Sequence, residues 1–276
     1  MNYRHAFHAG NHADVFKHAA LVFILDRLLE KPRPFTVLDT HAGIGLYDLQ
    51  SEAAQKTREY EDGVAKLAGA GLRSAPAYAR MIQEMNPGGL NAYPGSPEIV
   101  RRLLREQDRL IACELHPADA ETLKARYRSD RRISVHQRDG YEAIRALLPP
   151  PGGRGLVFID PPFEETDEAG QLAQAFRDGL KRWSNGIFVG WYPAKDRSVG
   201  DMLARAAEGF PKALRVEFLP YAAGESSLPG SGLIVCNTPW KLDEKLRSLC
   251  GELSRLLGRG RGTWTVEWIT EPTRPY

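Results

Sequence analysis

Gly155-Leu156-Val157-Phe158-Ile159 is a short apolar run that leads directly into Asp160-Pro161-Pro162-Phe163, and this stretch decides the fold. The run is rich in branched side chains and is bounded by glycine and proline, a pattern that predicts a buried strand of a parallel sheet. The tetrapeptide at 160–163 therefore lies at the carboxyl end of a strand, where open α/β sheets bind their ligands.

The tetrapeptide combines one carboxylate, two prolines that stiffen the backbone and one aromatic ring. These groups suit a planar amino group such as the N6 of adenine, because the Asp160 side chain and the Pro161 carbonyl accept its hydrogens while the base stacks on Phe163. The structural alternative is that the prolines end the strand and Phe163 packs in the core.

A similar motif, Asn237-Thr238-Pro239-Trp240, follows the last predicted strand, and we interpret it as a turn whose tryptophan packs.

Further strands and helices alternate along the chain. Apolar runs predict strands at 35–39, 110–114, 133–136, 186–191, 214–219 and 232–236, and helical spacing predicts helices at 96–105, 117–127, 141–148, 169–183 and 198–207. This alternation indicates βαβ units and hence an α/β fold with a mostly parallel sheet. The last two strands have the spacing of a hairpin-like pair that completes the sheet.

Residues 48–95 interrupt this alternation between the first strand and the helix that should follow it. Apolar residues recur at helical spacing in two parts of the segment, and proline and glycine punctuate its end. We interpret 48–95 as a helical insertion at the ligand edge of the sheet, within a single domain that spans 1–276.

A glycine-rich turn follows the first predicted strand and contains Gly43 and Gly45. Glycines let a ligand approach the backbone closely. The usual dinucleotide fingerprint has a third glycine three residues further on, where this chain has Asp48. A cofactor without a pyrophosphate fits such a turn better, so we expect S-adenosylmethionine rather than NAD.

Acidic residues follow the first strands of the predicted sheet. Glu114 ends the second strand, where a carboxylate accepts hydrogen bonds from ribose hydroxyls. Asp139, followed by Gly140, comes after the third strand, where a carboxylate accepts from an adenine amino group. Each acid has a plain alternative as a helix N-cap, which for Asp139 means the helix that starts at about Tyr141.

Length and composition fit a soluble globular protein. The chain has 276 residues, of which 42% are hydrophobic and 26% charged, and no apolar stretch approaches the ~18 residues of a membrane span. The start of the chain has no apolar core like that of a signal peptide. Cys113, Cys236 and Cys250 have no paired spacing, so we expect inert reduced thiols and a cytoplasmic protein without a membrane partner.

Arginines are clustered, although the net charge is only +2. The groups are Arg101, Arg102 and Arg105; Arg126, Arg128, Arg131, Arg132 and Arg138; and Arg259 and Arg261. Clustered arginines follow the phosphate backbone in proteins that bind nucleic acids. The plain alternative is a set of solvated helix faces. Beside a motif that suits a nucleobase, the clusters favour a nucleic-acid partner.

Four of the seven histidines lie near the start of the chain, at His5, His8, His12 and His18. Without cysteine partners or a strong fourth ligand, this group does not predict a metal site. It fits a polar segment that leads into a helix from about Asn11. Alternatively, the segment covers the cofactor and touches the substrate, with Tyr3 stacking on a base and Arg4 meeting a phosphate.

Several motifs together carry a family resemblance. They are Tyr3-Arg4-His5 and Phe7-His8-Ala9-Gly10-Asn11-His12-Ala13-Asp14-Val15 with Lys17-His18, Leu38-Asp39-Thr40-His41-Ala42-Gly43, Tyr93-Pro94-Gly95-Ser96-Pro97, Leu103-Leu104-Arg105-Glu106-Gln107-Asp108, Glu114-Leu115-His116-Pro117, Ile159-Asp160-Pro161-Pro162, Trp191-Tyr192-Pro193 and Pro239-Trp240-Lys241-Leu242. Over nearly the whole chain they resemble the bacterial 23S ribosomal RNA adenine-N6 methyltransferase family, RlmJ.

The resemblance implies a class I (Rossmann-like) S-adenosylmethionine-dependent methyltransferase fold with an inserted helical subdomain, in a monomeric enzyme that methylates an adenine of 23S ribosomal RNA. It implies that Asp160, Pro161 and Phe163 are catalytic and that Tyr3 and Phe163 contact the substrate. Residues that match the cofactor motifs are His18, His41, Gly43, Ser96, Glu114, Asp139, Gly140 and Asp160. Phe163 stands where the family often has tyrosine, which keeps a stacking ring and loses a phenolic hydroxyl.

Two other classes of function stay open. Prolyl-prolyl-aromatic motifs also serve protein or small-molecule N-methyltransferases, although asparagine rather than aspartate usually leads the motif there. A non-catalytic RNA-binding module on a relic methyltransferase fold is the second alternative. Binding of S-adenosylmethionine and methyl transfer to RNA or to protein separate the three functions.

Overall fold

The computed structural model describes residues 4–271 except 165, 166, 196, 223, 227, 259 and 260. Ten strands lie in this part of the chain: β1 Thr36–Asp39, β2 Leu46–Asp48, β3 Ala92–Pro94, β4 Arg109–Glu114, β5 Ile133–Gln137, β6 Gly155–Ile159, β7 Ile187–Pro193, β8 Leu214–Leu219, β9 Ser231–Cys236 and β10 Thr263–Trp268. Tyr3, which the sequence predicts as a substrate contact, lies outside the described residues.

Eight of these strands form one sheet in the order β10-β8-β9-β7-β6-β1-β4-β5. The five strands from β7 to β5 pair in parallel, and β8, β9 and β10 continue the sheet antiparallel. The chain builds outward from β1 to β5 and then returns to the other side of β1 with β6, so the strand order reverses between β1 and β6. Ligands of open α/β sheets bind at such a reversal, outside the carboxyl ends of the strands. The predicted α/β fold of Rossmann-like type is confirmed.

Ten α-helices surround the strands in the described part of the chain: α1 His12–Leu29, α2 Glu52–Thr57, α3 Val64–Ala70, α4 Pro76–Met85, α5 Ser96–Leu103, α6 Pro117–Tyr127, α7 Gly140–Leu147, α8 Glu168–Arg182, α9 Arg197–Ala207 and α10 Leu242–Leu256. Two 3-10 turns, His5–Phe7 and Glu59–Asp62, precede α1 and α3. Alternate residues of β6 point to opposite faces of the sheet. Leu156 and Phe158 pack with α1, α5 and α10, whereas Val157 and Ile159 pack with α7, α8 and α9.

Helix α1 is buried along nearly its whole circumference. It packs against α4, α5, α10 and β9, and an all-round apolar helix is stable only in such surroundings. Leu21, Ile24 and Leu25 are fully buried, and each contributes roughly 1.5–3 kcal/mol through removal of apolar surface from water. The first turns of this helix carry polar residues that are also buried, and these side chains face the reversal point of the sheet.

Residues 48–95 contain α2, α3, α4 and strand β3, and β3 pairs with β2 in a separate two-stranded antiparallel sheet. Leu46 pairs with Pro94 and Tyr47 with Tyr93, so the two ends of the segment are held together at the edge of the main sheet. The interpretation of 48–95 as an insertion within a single domain stays a prediction.

Two expectations need correction. The sequence predicts that Trp240 packs in its turn, but 66% of the Trp240 surface is exposed. Asn237 fixes the turn instead, by donating to the carbonyls of Ser184 and Gly186. The sequence also predicts that the strand at 232–236 is the last, but α10 and β10 follow it.

Within the described residues, no helix is both long and apolar enough to cross a membrane. The three cysteines are buried free thiols, as expected. Burial raises the pKa of Cys113 and of Cys250 to about 12, and it raises the pKa of Cys236 as well. The thiolate is the reactive form, so these side chains are inert packing residues.

Candidate active site

A cleft of about 570 Å³ opens at the carboxyl ends of β1, β4 and β6. Most of the predicted site residues line it: His18, His41, Gly43, Ser96, Glu114, Asp160, Pro161 and Phe163. These residues come from five separate parts of the sequence. The strand order brings them together because the ends of neighbouring parallel strands share one edge of the sheet.

Asp139 and Gly140 do not line the cleft. Asp139 is the N-cap of α7, and its carboxylate accepts the backbone N–H of Glu142 at 2.8 Å. A Cβ on Gly140 would lie 2.3 Å from the carbonyl oxygen of Thr40, so only glycine lets α7 approach β1 this closely. The N-cap alternative for Asp139 is therefore present in the structure, and a cofactor contact by either residue stays a prediction.

The glycine turn after β1 depends on positive φ angles at Gly43 (+60°) and Gly45 (+79°). A Cβ on Gly43 would lie 2.2 Å from the hydroxyl of Tyr47, and one on Gly45 would lie 2.5 Å from the hydroxyl of Tyr127. The backbone N–H of Gly43 donates to Oε2 of Glu114 at 2.8 Å. The turn is thus fixed against the end of β4.

Glu114 ties two loops together at the cleft. Its Oε2 accepts from Gly43 and its Oε1 accepts from the backbone N–H of His116 at 2.8 Å. A carboxylate has about four lone-pair sites, so two remain for a ligand. Burial raises the pKa of Glu114, while these two backbone donors oppose the shift.

Asp160 forms a buried ion pair that the sequence did not predict. Its Oδ2 lies 2.7 Å from Nζ of Lys17 on α1, and Lys17 is only 4% exposed. Burial raises the pKa of Asp160, and the positive charge of Lys17 opposes that rise. Burial alone would lower the pKa of Lys17, but Asp14 and Asp160 together raise it. Oδ1 of Asp160 is buried and has no hydrogen-bond partner among the described residues.

Asp14 holds the other side of Lys17. Its Oδ1 lies 2.9 Å from Nζ of Lys17, and its Oδ2 accepts from the backbone N–H of Gly10 at 2.8 Å and contacts Nε2 of His5 at 2.9 Å. Burial favours the neutral acid, but His5 and Lys17 keep the pKa of Asp14 well below its usual range. A chain of contacts therefore runs from His5 through Asp14 and Lys17 to Asp160.

Aromatic rings form the wall of the cleft next to Asp160. Phe163 has a φ of +52°, a conformation that is rare for a bulky residue and that proteins retain at functional sites. Its ring meets the ring of Trp191 edge to face, with centroids 5.8 Å apart. Nζ of Lys17 lies 5.1 Å from the Trp191 centroid, and Nε1 of Trp191 donates to Ser231. Trp191 thus braces both Phe163 and Lys17.

Three buried histidines of the cleft are neutral at pH 7. Burial lowers the pKa of His18 to about 3, and of His12 and His41 to about 4. Nδ1 of His18 lies 2.8 Å from the hydroxyl of Tyr93, and Nδ1 of His41 lies 2.8 Å from Oγ1 of Thr40. In the described part of the chain, no three His, Cys, Asp or Glu side chains are grouped to hold a metal ion, and we assign no metal site.

Arg4 and Asp39 complete the electrostatics of the cleft. A guanidinium nitrogen of Arg4, which was expected to meet a phosphate, lies 3.3 Å from Oδ1 of Asp119.

Asp39 is fully buried at the end of β1, and neither of its carboxylate oxygens has a well-formed hydrogen bond to a described residue. Burial raises its pKa to about 7, and the charges of Asp160 and Glu114 add to that rise. The negative charges of Asp160 and Glu114, which line the cleft, thus act on Asp39 at the end of β1.

The sequence missed His5, Asp14, Lys17, Asp39 and Trp191 as members of the site. The spacing of Asp14 and Lys17 was a usable signal, because two opposite charges three residues apart in an otherwise apolar helix form a pair that is buried with it. Asp39 was visible as the acid that ends the first strand. Nothing local indicated that Trp191 would brace Phe163.

Comparisons with known proteins agree with this site. A family model described as "Ribosomal RNA large subunit methyltransferase D, RlmJ" matches residues 32–270. Ribosomal RNA large subunit methyltransferase J of Escherichia coli is 41% identical over 280 residues, covering 98% of this chain and 99% of that protein. The protein of the same name from Haemophilus influenzae is 38% identical over 278 residues, with the same coverage.

The fold also matches a solved structure. The crystal structure of protein LPL1258 from Legionella pneumophila superimposes with a TM-score of 0.88 at 32% identity. The match covers 95% of this chain and 98% of that one, so the two proteins share the main sheet, the helices on both faces and the segment between β1 and α5.

Proposed function

Because this chain belongs to the RlmJ family of ribosomal RNA large subunit methyltransferases, we propose that it transfers a methyl group from S-adenosylmethionine to the N6 amino group of an adenine in 23S ribosomal RNA. The observation that carries the proposal is the state of Asp160. Asp160 lines the cleft; one oxygen of its carboxylate is held by Lys17, and the other is buried and has no hydrogen-bond partner among the described residues.

The residues of the cleft fit the cofactor. S-adenosylmethionine supplies an electrophilic methyl group on a positively charged sulfur when it is bound. Glu114 and Asp160 line the cleft, and a cation bound there would offset the effect of their negative charges on Asp39. The cleft volume of about 570 Å³ lies in the usual range of small-molecule sites.

Specific cofactor contacts follow from the lining of the cleft. The remaining lone pairs of Glu114 suit ribose hydroxyls, and Gly43 permits close approach to the backbone. His18, His41 and Ser96 line the same cavity and would surround the rest of the cofactor. Contact of Asp139 and Gly140 with the cofactor stays part of the proposal, because the charge of Asp139 acts on His41, which lines the cleft.

Asp160 and Pro161 orient the amino group that accepts the methyl. Oδ1 of Asp160 and the carbonyl of Pro161 are acceptors for the two N6 hydrogens. This geometry directs the nitrogen toward the methyl donor and draws electron density onto it, which matters because the amino lone pair is delocalised into the adenine ring. After transfer the nitrogen is acidic, and Oδ1 of Asp160 holds its proton until solvent takes it.

Lys17 keeps Asp160 in the required form. A buried carboxylate without a counter-ion would take up a proton and lose its acceptor capacity. Lys17 occupies Oδ2 and supplies a positive charge, so Oδ1 stays available as an anionic acceptor. Asp14 in turn fixes the position of Lys17.

The Asp160 side chain is nearly buried at the cleft, so the target base leaves its stack to reach it. Charged residues of both signs line the cleft, Glu59, Asp62 and Asp119 together with Arg58 and Lys195. Extrusion of a base costs a few kcal/mol, and stacking on an aromatic ring such as Phe163 returns roughly 1–3 kcal/mol. Tyr3 is a second proposed stacking residue.

We further propose that the enzyme acts as a cytoplasmic monomer, because one chain supplies every residue of the cleft and its thiols are reduced. Static light scattering of the purified protein at micromolar concentration tests this point. A stable dimer would contradict it.

The reaction is tested with methyl-labelled S-adenosylmethionine and 23S ribosomal RNA from cells that lack the gene. We expect label in N6-methyladenosine after nuclease digestion, at one position of the RNA. Label in protein and not in RNA would support a protein N-methyltransferase. Absence of S-adenosylmethionine binding by calorimetry would support the relic RNA-binding module.

A further inference from the structure

The structure divides the clustered arginines into two classes. Several are neutralised by carboxylates nearby: Arg101 and Arg102 by Glu98, Arg105 by Asp108, and Arg132 by Asp130, at 2.6–2.9 Å. Arg126 and Arg131 differ from them. Arg126 donates only to the carbonyl of Ile44, at 3.1 Å, and Arg131 has neither a hydrogen bond nor an ion pair within the described residues.

Arg126 and Arg131 line a second cavity, separate from the cleft. Its volume is about 430 Å³, and its walls also include Leu46, Glu98, Arg101, Tyr127, Ser129 and Asp130. We call it the arginine pocket. It lies between α5, the end of α6 and strand β2.

The carboxylates of the arginine pocket are already satisfied. Glu98 accepts from Arg101 through two bonds, from Arg102 and from the hydroxyl of Tyr127. Asp130 accepts from the guanidinium of Arg132 with both oxygens. Their negative charges are therefore matched inside the protein, and the guanidinium groups of Arg126 and Arg131 give the pocket an excess of positive charge.

The arginine pocket shares walls with the cleft. Arg126 bonds to Ile44, which lies between the two glycines of the cofactor turn, and Tyr127 packs beneath Gly45. On the other side, Ser96 lines the cleft while Glu98, two residues further along the same helix, lines the arginine pocket. An anion in the pocket would thus sit directly behind the turn that binds the cofactor.

We propose that the arginine pocket binds a backbone phosphate of the RNA whose adenine enters the cleft. This inference rests on the proposed function and names a part of its substrate surface. An adenine that enters the cleft stays joined to its strand, and cationic sites on the surface beside the cleft can hold the phosphates of that strand. Guanidinium groups suit that purpose, because their N–H donors match phosphate oxygens and remain charged at all working pH values.

The test uses the variants Arg126→Ala, Arg131→Ala and the double variant in the full chain. We expect the KM for 23S ribosomal RNA to rise roughly tenfold in the double variant, with the effect concentrated in KM rather than in kcat. The slope of log affinity against log salt concentration should fall by about one for each phosphate that the variant no longer binds. S-adenosylmethionine affinity, measured by calorimetry, should change less than about twofold in Arg131→Ala, since Arg131 neither lines the cleft nor contacts the glycine turn, whereas Arg126 holds that turn through Ile44.

Arg177→Ala with Arg182→Ala is the matched control. These exposed arginines lie on α8, on the opposite face of the sheet, and their removal should leave the KM and the salt slope at wild-type values. Arg131→Glu is a second variant, which should raise the KM further than Arg131→Ala. Thermal denaturation checks that each variant is folded. If the variants with Arg126→Ala unfold, Arg131→Ala and Arg131→Glu still test the proposal.

The outcomes separate this proposal from the function on which it rests. If the wild-type protein methylates no RNA, the proposed function fails. If the wild type is active and the double variant matches the α8 control in KM and salt slope, the arginine pocket does not bind the RNA. Inhibition of methylation by inorganic phosphate is measured as well. If phosphate inhibits the wild type and no longer inhibits the variants, while their KM for RNA stays at the wild-type value, the pocket binds a free anion and the proposal is overturned.

Discussion

The ammonium group of Lys17 lies 2.7 Å from Oδ2 of Asp160, and Oδ1 of the same carboxylate has no partner among the described residues. Lys17 comes from the first helix and Asp160 from the end of β6, so the fold joins them across more than half of the chain. The pair places one anionic oxygen at the cleft in a buried setting. The charge on that oxygen determines how well it can accept a hydrogen bond from a substrate amino group.

Asp160→Ala should reduce kcat for RNA methylation at least ~100-fold, the scale on which removal of one oriented hydrogen-bonding group acts in other active sites. Asp160→Asn should lose less, because asparagine keeps one carbonyl oxygen where Oδ1 lies. Single-turnover rates of the three proteins check this order. Circular dichroism verifies the fold, and Asp178→Asn on α8, away from the cleft, is the matched control. Equal rates for wild type and Asp160→Ala would remove Asp160 from the mechanism.

Lys17→Met should shift the pH dependence of methylation toward higher pH. Burial raises the pKa of Asp160 and Lys17 opposes that rise, so removal of Lys17 lets the pKa rise further. At neutral pH a smaller fraction of Asp160 is then ionised, and activity falls. It should recover partly as the pH is raised toward about 9, where more of the acid is ionised. Rates measured from about pH 6 upward check this. An equal reduction at every pH would show that Lys17 acts by another route.

Asp14→Asn should destabilise the protein by about 3–5 kcal/mol at pH 7, the usual result of removing one partner from a buried ion pair. The melting temperature should fall on the order of 10 °C. Because the pKa of Asp14 is held well below its usual range in the folded protein, its contribution is present above the unfolded pKa of about 4 and is lost as the pH falls through the folded value. The difference from wild type should therefore shrink in acid. A difference that stays constant down to about pH 2 would contradict the linkage.

The parts of the site that follow from local sequence were predictable. Asp160, Glu114 and Gly43 each come directly after an apolar run, and the end of a parallel strand places them at one edge. Asp139 follows β5, two strands away from β1 at the reversal point, where it caps α7 and does not line the cleft. The number of strands between β5 and the reversal point could not be predicted before the strand order of the sheet was known.

Contacts between distant segments were not predictable. Trp264, Val266 and Trp268 alternate along β10, but no strand after 232–236 was predicted from the sequence. Trp240 looked like a packing residue by type, yet its neighbours in space leave it exposed. The Lys17–Asp160 pair required knowing which face of α1 meets the end of β6, and a helix buried on nearly all sides carries no periodicity that identifies that face.

Asp39 should link cofactor binding to proton release. Its pKa is raised to about 7 by burial and by the nearby carboxylates, so a substantial fraction is protonated in the free protein at neutral pH. A bound cation favours the ionised form, and binding then expels a proton. S-adenosylmethionine affinity should therefore rise as the pH passes from about 6 to about 8. Calorimetry in two buffers of different ionisation enthalpy measures the protons released. In Asp39→Asn the release near neutral pH should vanish, and its persistence would assign the proton to another group.

Phe163→Leu should lower kcat/KM for RNA by roughly 5- to 150-fold, because removal of base stacking costs about 1–3 kcal/mol. Phe163→Tyr is the matched control. Its kcat/KM should stay within about threefold of the wild-type value, since tyrosine keeps the stacking ring and its added hydroxyl lies in the plane of that ring. Neither change should alter S-adenosylmethionine affinity if Phe163 contacts only the base. Methylation rates at subsaturating RNA measure the effect. If leucine works as well as tyrosine, the ring has a packing role against Trp191 and the base is held elsewhere in the cleft.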